Sequence, residues 1–217
     1  MIPRSGAKCH GQARSARPLF GVFFAVLRVP PLFRLGSINR VPVLVHWSVP
    51  LVAGVMIIAG LDHIITTIAG ITAYLLLIII HELGHQFLAS RLGYGVVSVE
   101  IYPVHGICRF DHPETKLDAA IIAWGGVVGQ MFMAIPMIVR LVIWGDSRFS
   151  ALNALLEIGG PMNAVIAVFN LIPIRPLDGA TAWSLMPLLW ARWRKRRKPE
   201  KTALEVFEEI VEKSKRR

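Results

Sequence analysis

Cysteine and acidic residues are scarce in this chain. Its 217 residues include two cysteines, Cys9 and Cys108, which lie far apart in contrasting surroundings. Such a pair indicates neither a disulfide framework nor a thiolate metal cluster, and Cys108 is interpreted as a small semi-buried residue rather than a nucleophile. No acidic residue occurs in residues 1–40, which carry seven basic ones. This imbalance predicts that the segment stays on the cytoplasmic side of a membrane.

Charge is absent from a long internal stretch, since residues 64–80 contain no charged side chain. Hydrophobic residues make up 54% of the chain, and the mean hydropathy is +0.54. These values are too high for an ordinary soluble domain and predict an α-helical polytopic membrane protein. The net charge of +10 could suggest nucleic acid, but the basic residues lie in tails and loops beside apolar segments. No nucleic acid partner is therefore expected.

Several apolar runs are long enough to cross a bilayer, which predicts about four transmembrane helices. The predicted spans are residues 41–60, 64–92, 119–144 and 151–172. Gln130, the one amide of the third span, is interpreted as an interhelical hydrogen-bonding residue rather than a catalytic group. Between the second and third spans, residues 97–102 alternate apolar and polar side chains. This period predicts a short membrane-associated β-hairpin with a bend near residues 103–106.

The distribution of charge predicts the domain organisation and the orientation. Residues 1–40 form a basic N-terminal extension, residues 41–190 the membrane core, and residues 191–217 a basic tail with an amphipathic helix. Terminal interfacial helices are expected, although residues 19–27 could instead belong to a disordered extension, and residues 180–190 are expected to form a half-span or interfacial helix. Lys and Arg are concentrated in both tails and the hairpin loop, so all three are predicted to be cytoplasmic. The tails should contact anionic lipid, and the protein should reside in the cell or inner membrane.

A metal-binding pattern lies near the end of the second span, where residues 81–85 read H-E-L-G-H. On a helix, His81 and His85 share one face and can bind one cation, while Glu82 reaches the open coordination position. This is the hydrolytic pattern of zinc peptidases. Two histidines and a glutamate in such an apolar segment are costly unless they serve a site.

A catalytic zinc ion keeps three protein ligands, so the histidine pair needs a third donor. Asp178 is the strongest candidate, because it follows the fourth apolar run at the matching depth. Glu82 would act as general base toward a water molecule and then protonate the leaving amine. Asn170 could donate a hydrogen bond to an oxyanion or a substrate backbone, or could serve only in helix packing.

Together, H-E-L-G-H at residues 81–85 and N-L-I-P-I-R-P-L-D-G at residues 170–179 resemble the motifs of the site-2 protease family of intramembrane zinc metalloproteases. The resemblance implies zinc held by His81, His85 and Asp178, with Glu82 as general base. It also implies transmembrane or membrane-associated protein substrates, regulated intramembrane proteolysis, and a hairpin that helps to hold an unwound substrate strand around His105 and Gly106. The chain corresponds to a minimal form without the PDZ or CBS domains of some members.

Two other functions remain compatible with these motifs. A catalytically silent relative could act as a membrane scaffold or chaperone for transmembrane segments, and an intramembrane zinc site could belong to a metal transporter. The presence of all four key residues favours the peptidase, and a transporter would leave Glu82 without a task. The natural substrate, the regulatory partners and the formation of a homo-oligomer are not indicated by any pattern in the chain.

Overall fold

Three long apolar helical segments dominate the computed structural model, which describes residues 32–197 and 211–216. Each is long and apolar enough to cross a membrane. The first contains helix α2 (Ile64–Arg91), preceded by a 3-10 turn (Leu61–His63), and the second is helix α3 (Lys116–Trp144). The third consists of helix α4 (Ser150–Glu157), a π-helical turn (Ile158–Met162) and helix α5 (Asn163–Asn170). These segments coincide with the predicted second, third and fourth spans.

A four-stranded sheet accompanies the helices, with strands in the order β1, β2, β3, β4. The strands are β1 (Leu32–Ile38), β2 (Val41–His46), β3 (Val96–Ile101) and β4 (Gly106–Phe110). The predicted hairpin is present as the antiparallel pair β3–β4. Strand β2 adds to it in parallel, with Val43 opposite Val99 and Val45 opposite Ile101, and β1 pairs with β2 in antiparallel fashion.

The prediction of a transmembrane helix over residues 41–60 is wrong. Its first part is strand β2, and its second part is helix α1 (Ser48–Ala59), whose 12 residues extend only about 18 Å. That length is too short for a hydrocarbon core of about 30 Å. The described residues therefore contain three candidate spans rather than about four. The segment V-P-V-L-V-H is apolar enough for either structure, and its β-branched valines favour the strand.

The sheet also includes residues that the charge pattern assigned to the N-terminal extension. Strand β1 begins at Leu32 and is joined to β2 by a turn in which Asn39 and Arg40 have positive φ angles. The segment predicted to be interfacial at residues 19–27 lies outside the described residues. Of the predicted C-terminal amphipathic helix, residues 211–215 are described and are helical.

Residues 180–190, predicted as one half-span or interfacial helix, belong to two short helices. Helix α6 (Gly179–Ala182) ends before Ser184, and helix α7 (Leu185–Arg197) begins immediately after it. Pro187 lies in the first turn of α7, where a proline is tolerated because its missing N–H would have no helical acceptor.

The sheet packs on one face of helix α2. Val43, Val99 and Ile101 of the sheet form a buried apolar cluster with Leu77 and Ile78 of α2. The H-E-L-G-H motif starts three residues after Ile78, so the helical turn that follows the cluster carries the motif. Packing of the sheet thus brings the β3–β4 hairpin beside the motif.

Helices α2 and α3 approach each other closely along a seam of glycines, Gly84 on α2 and Gly125, Gly126 and Gly129 on α3. A Cβ atom added at Gly125 would lie 2.5 Å from the Gly84 carbonyl oxygen, and one at Gly129 would lie 2.8 Å from the Ile80 carbonyl oxygen. Such distances exclude a side chain, so the two backbones are in direct contact. Small residues commonly permit this approach between membrane helices.

Candidate metal centre and active site

Three side chains from two parts of the chain converge beside the glycine seam. His81 and His85 lie one turn apart on helix α2, and Asp178 lies on the segment between α5 and α6. The two Nε2 atoms are 3.1 Å apart. Asp178 Oδ2 lies 3.0 Å from Nε2 of His81 and 3.2 Å from Nε2 of His85. Among the described residues, these three form the group of potential ligands able to hold a metal ion.

The opposite ring nitrogens indicate which tautomer each histidine adopts as a neutral imidazole. His85 Nδ1 lies 2.8 Å from the carbonyl oxygen of Ile122, which can only accept, so Nδ1 carries the proton and Nε2 presents a lone pair. His81 Nδ1 lies 3.0 Å from Oε1 of Gln130, and an amide oxygen imposes the same tautomer. Both Nε2 lone pairs therefore point at the space that Asp178 also faces.

This arrangement fits a cation. Two neutral imidazoles with facing lone pairs cannot hydrogen-bond to each other, and a carboxylate beside them adds further negative charge. A tetrahedral ion with nitrogen and oxygen ligands at about 2.0–2.2 Å would separate its ligand atoms by roughly 3.3 Å. The observed separations of 3.0–3.2 Å are close to this value. The donor set, two imidazoles and one carboxylate, is one that catalytic zinc sites use.

Glu82 occupies the space between the histidine pair and the hairpin. Glu82 is 5% exposed, and a Cβ atom added at Gly106 would overlap the Glu82 side chain. The backbone of Cys108 also interacts with its carboxylate. Strand β4 therefore confines the Glu82 side chain, so a buried carboxyl group lies next to the ligand group.

Two tryptophans hold the segment that carries Asp178. The indole N–H of Trp124 donates to the carbonyl oxygen of Ala182 at 2.9 Å, and that of Trp183 donates to the carbonyl oxygen of Leu171 at 2.6 Å. Their rings meet edge to face with centroids 5.8 Å apart. Asp178 lies between Leu171 and Ala182 in the chain, so these bonds restrain its segment at both ends.

The remaining predicted site residues have different surroundings. Asn170 ends helix α5 and is half-buried, and in the described part of the chain no hydrogen bond joins its side chain to His81, His85 or Asp178. His105 is exposed in the β3–β4 turn, where its ring stacks on Tyr102 at a centroid distance of 5.0 Å. Gly106 is the hairpin residue that the structure brings against Glu82.

The hairpin contains an ion pair outside the metal site. Arg109 of β4 donates two hydrogen bonds to Glu100 of β3, whose side chain also accepts from Ser98 and Tyr102. The hydrogen bonds from Arg109 lower the pKa of Glu100 against the opposing effect of burial. In the same hairpin, burial raises the pKa of the Cys108 thiol to about 12. A thiol of that pKa is a poor nucleophile at neutral pH.

Two partners of the histidines were not predicted from the sequence. The Ile122 carbonyl oxygen has no side-chain signature, so no motif could have pointed to it. Gln130 was expected to form an interhelical hydrogen bond, and it does, but its partner His81 could not be named. A signal did exist: a buried polar amide in an apolar helix must find a partner, and His81 lies on the helix that packs against α3 through glycines.

Comparisons with known proteins agree with this arrangement. Residues 69–144 match the model of peptidase family M50. A zinc metalloprotease of Methanocaldococcus jannaschii is 28% identical over 153 residues, which cover 67% of this chain and 42% of that protein. A Synechocystis protein with a provisional zinc metalloprotease name is 29% identical over 128 residues, which cover 55% and 31% of the two chains. The chain thus spans less than half the length of these curated relatives.

A solved structure has a similar fold. The site-2 protease from Methanocaldococcus jannaschii superposes with a TM-score of 0.55 at 21% sequence identity, over 70% of each chain. At this identity the likeness concerns the fold. The family-model match begins within helix α2 and ends with helix α3, so it includes the histidine pair, Glu82 and Gln130 but not Asp178.

Proposed function

We propose that this chain is a member of the site-2 protease family of zinc metalloproteases and an intramembrane endopeptidase that hydrolyses peptide bonds of transmembrane or membrane-associated proteins. One observation carries the proposal. The Nε2 atoms of His81 and His85 and the Asp178 carboxylate lie 3.0–3.2 Å from one another. The helix that carries the two histidines is long enough to cross a membrane and also carries the buried Glu82.

The ligand set of the proposed centre is His81, His85 and Asp178. A zinc ion bound there would supply Lewis-acid chemistry, polarising a carbonyl group and acidifying a water molecule. Three protein ligands leave one coordination position for these groups. In the neutral imidazoles, the Nδ1 hydrogen bonds place the proton on the nitrogen that faces away from the site, so both Nε2 atoms can bind the ion.

Glu82 is the proposed general base. Its carboxylate takes a proton from the attacking water as the water oxygen forms a bond to the peptide carbonyl carbon. It then gives that proton to the amide nitrogen as the carbon–nitrogen bond breaks, which releases an amine and a carboxylic acid that keeps the second proton of the water. Confinement between strand β4 and the histidine pair limits the positions of the carboxylate, as proton transfer at hydrogen-bonding distance requires.

Asn170, His105 and Gly106 are proposed to contact the substrate. The half-buried amide of Asn170 could donate to the carbonyl oxygen on which negative charge develops. Gly106 lets the hairpin backbone approach Glu82, and His105 lies in the adjoining turn. A substrate strand that runs beside this hairpin would present its carbonyl groups near the general base.

The membrane setting supports the substrate class. Helix α2 carries the motif in its last third, and its first part is long, apolar and uncharged. A site at this depth is reached most directly by a polypeptide that already enters the bilayer. Regulated intramembrane proteolysis is the role proposed with this substrate class, on the likeness of the chain to the site-2 proteases.

We also propose a multi-pass protein of the cell or inner membrane with both termini in the cytoplasm. The basic residues of the two tails and the hairpin support this orientation, since cytoplasmic loops are enriched in Lys and Arg. The basic run at residues 192–198 would contact anionic lipid. We further propose that copies of the chain could assemble into a homo-oligomer through their membrane helices.

The test is a comparison of purified wild-type protein with Glu82→Gln in proteoliposomes that contain a model transmembrane substrate. We expect the wild type to bind one zinc ion and to cleave the substrate. Glu82→Gln should bind zinc equally but lose cleavage by about 100-fold or more. Cleavage that persists in Glu82→Gln would refute the proposed role of Glu82, and folded wild-type protein without zinc would refute the site.

The same comparison separates the alternatives. A silent scaffold would bind the transmembrane substrate and leave it intact in both proteins. A metal transporter would move zinc across the proteoliposome membrane with or without Glu82. The buried position of Glu82 beside the ligand group favours the peptidase, because neither alternative requires a carboxylate there.

A further inference from the structure

Gln130 links the metal-binding helix to its neighbour. It lies near the middle of helix α3 and is fully buried. Its side-chain oxygen Oε1 is 3.0 Å from Nδ1 of His81. Its backbone carbonyl oxygen accepts a hydrogen bond from Nδ2 of Asn163 at 3.0 Å. The backbone of Gln130 is thus bound by the third helical segment, and its side chain contacts the first.

Packing does not explain a glutamine at this position. Its Nε2 atom is buried and has no hydrogen-bond partner among the described residues. A buried donor without an acceptor destabilises the fold, whereas an apolar side chain of similar shape would carry no such cost. The side-chain atom of Gln130 that forms a hydrogen bond is therefore Oε1, and its partner is His81.

The chemistry of a metal-bound imidazole supplies the reason. A histidine that ligates through Nε2 carries its proton on Nδ1, and that N–H needs an acceptor that fixes the ring orientation. For His85 the acceptor is the backbone carbonyl of Ile122. For His81 it is the side chain of Gln130. Both histidines thus have a partner on helix α3, one from the main chain and one from a side chain.

We propose that Gln130 is a positioning residue that selects the Nδ1-protonated tautomer of His81 and aims its Nε2 atom at the metal. This inference rests on the proposed metal centre and adds to it a residue that neither motif contains. Gln130 touches no reacting atom, so its effect should be on metal affinity first and on catalysis through it. Asn163 supports the arrangement by holding the backbone of Gln130.

Zinc affinity of the purified full-length protein in detergent tests the proposal, measured by competition with a chromophoric chelator. Gln130→Met keeps the shape and removes the acceptor, so we expect a loss of affinity of about 10–100-fold. Gln130→Glu restores an acceptor and should stay within about threefold of the wild type, because carboxylates commonly accept from zinc-bound histidines. The metal-free Gln130→Met protein should be about as stable as the wild type, because it loses the hydrogen bond to His81 but no longer buries the unpaired Nε2 atom of Gln130.

Gln86→Met is the matched control. Gln86 is another buried glutamine, next to His85 in the chain, and its Nε2 donates to the Ile38 carbonyl oxygen at 3.1 Å. Its replacement should lower stability while leaving zinc affinity within about threefold of the wild type, since no ligand depends on it. Equal losses of affinity in Gln86→Met and Gln130→Met would overturn the specific role of Gln130.

Further outcomes separate this inference from the proposed function. Wild-type zinc affinity in Gln130→Met overturns the positioning role and leaves the metal centre intact. Folded wild-type protein that binds no zinc overturns both. If Gln130→Met fails to fold, Gln130→Asn replaces it, because it keeps the amide but withdraws it by one methylene group. Wild-type affinity in Gln130→Asn would then overturn the proposal, and a loss of about 10-fold or more would support it.

Discussion

The α2–α3 helix pair and the four-stranded sheet meet at Glu82, but they are packed in opposite ways. In the helix pair, glycines bring two backbones into contact, and no space remains for an added atom. In the sheet, Val99 and Ile101 fill a buried cluster with large side chains. The helix pair should therefore fail when volume is added, and the sheet should fail when volume is removed. The proposed metal centre lies in the helix pair, and the sheet packs against the helix that carries its two histidines.

The largest effect is expected from adding one methyl group to the helix pair. In Gly126→Ala, the new Cβ atom would lie 2.6 Å from Nδ1 of His81 and 2.6 Å from Nε2 of His85. The rings must shift, and displacements near 1 Å at a catalytic site can cost about 100-fold in rate. We expect at least that loss of substrate cleavage, together with weaker zinc binding, measured by cleavage assay and chelator competition.

Gly54→Ala provides the matched control. A Cβ atom at Gly54, on the short helix α1, would have no neighbour within 4 Å. This variant should retain activity and be slightly more stable, because alanine favours the helix by about 1 kcal/mol. Equal activity in Gly126→Ala and Gly54→Ala would contradict the close packing of the helix pair.

The next effect comes from removing volume from the sheet. Ile101 is 1% exposed, and truncation of such a residue to alanine costs about 2–5 kcal/mol. Ile101→Ala should therefore lower the free energy of unfolding by this amount while zinc affinity stays within about threefold. Chemical denaturation and metal competition on the same sample measure both quantities. A large loss of zinc affinity in the folded variant would show that the sheet also shapes the ligands.

A smaller effect is expected where the helix pair restrains the third ligand. Trp124→Phe removes the hydrogen bond to the Ala182 carbonyl oxygen and should destabilise the protein by about 1 kcal/mol. Because the Asp178 segment becomes less restrained, zinc dissociation should accelerate several-fold. Stopped-flow chelator competition measures this rate, and an unchanged rate would place the restraint of Asp178 elsewhere.

The smallest effect concerns pH and belongs to the sheet. Hydrogen bonds from Arg109 lower the pKa of Glu100 below its ordinary value of 4.5. The resulting stabilisation is complete above pH 4.5 and is lost as the pH falls through the lower pKa of the folded state. Arg109→Gln should be slightly less stable above pH 4.5 and should lose less stability on acidification. Unfolding midpoints between pH 7 and pH 3 test this, and parallel profiles for the two proteins would contradict it.

The sequence predicted those features that depend on local spacing. His81 and His85 share a face because four residues make about one helical turn, and the alternation after residue 96 indicated the hairpin. Asp178 could be identified as a partner because it follows an apolar run whose end lies at the same depth as the motif. These inferences required only the spacing of residues along one helix or strand, or the expected membrane depth of two segments. They did not require knowledge of the packing.

The features that were missed depend on contacts between distant residues. Strand β2 was mistaken for part of a helix because a short apolar run fits both structures. What makes it a strand is its pairing with β1 on one side and with β3, over 50 residues later, on the other. The Gln130–His81 hydrogen bond likewise joins residues 49 positions apart. Such pairings arise from the relative placement of elements, which no local pattern encodes.

The hydrogen bond from His85 to the Ile122 carbonyl has a consequence for evolution and engineering. Because a main-chain oxygen accepts it, exchanging the side chain at position 122 leaves the acceptor in place. The acceptor for His81 is instead a side chain, open to mutation at a single codon. A point mutation can therefore remove the hydrogen-bond acceptor of His81 but not that of His85. Directed evolution for a changed metal preference would therefore act most directly on His81, through substitutions at Gln130, while the hydrogen bond of His85 stays unchanged.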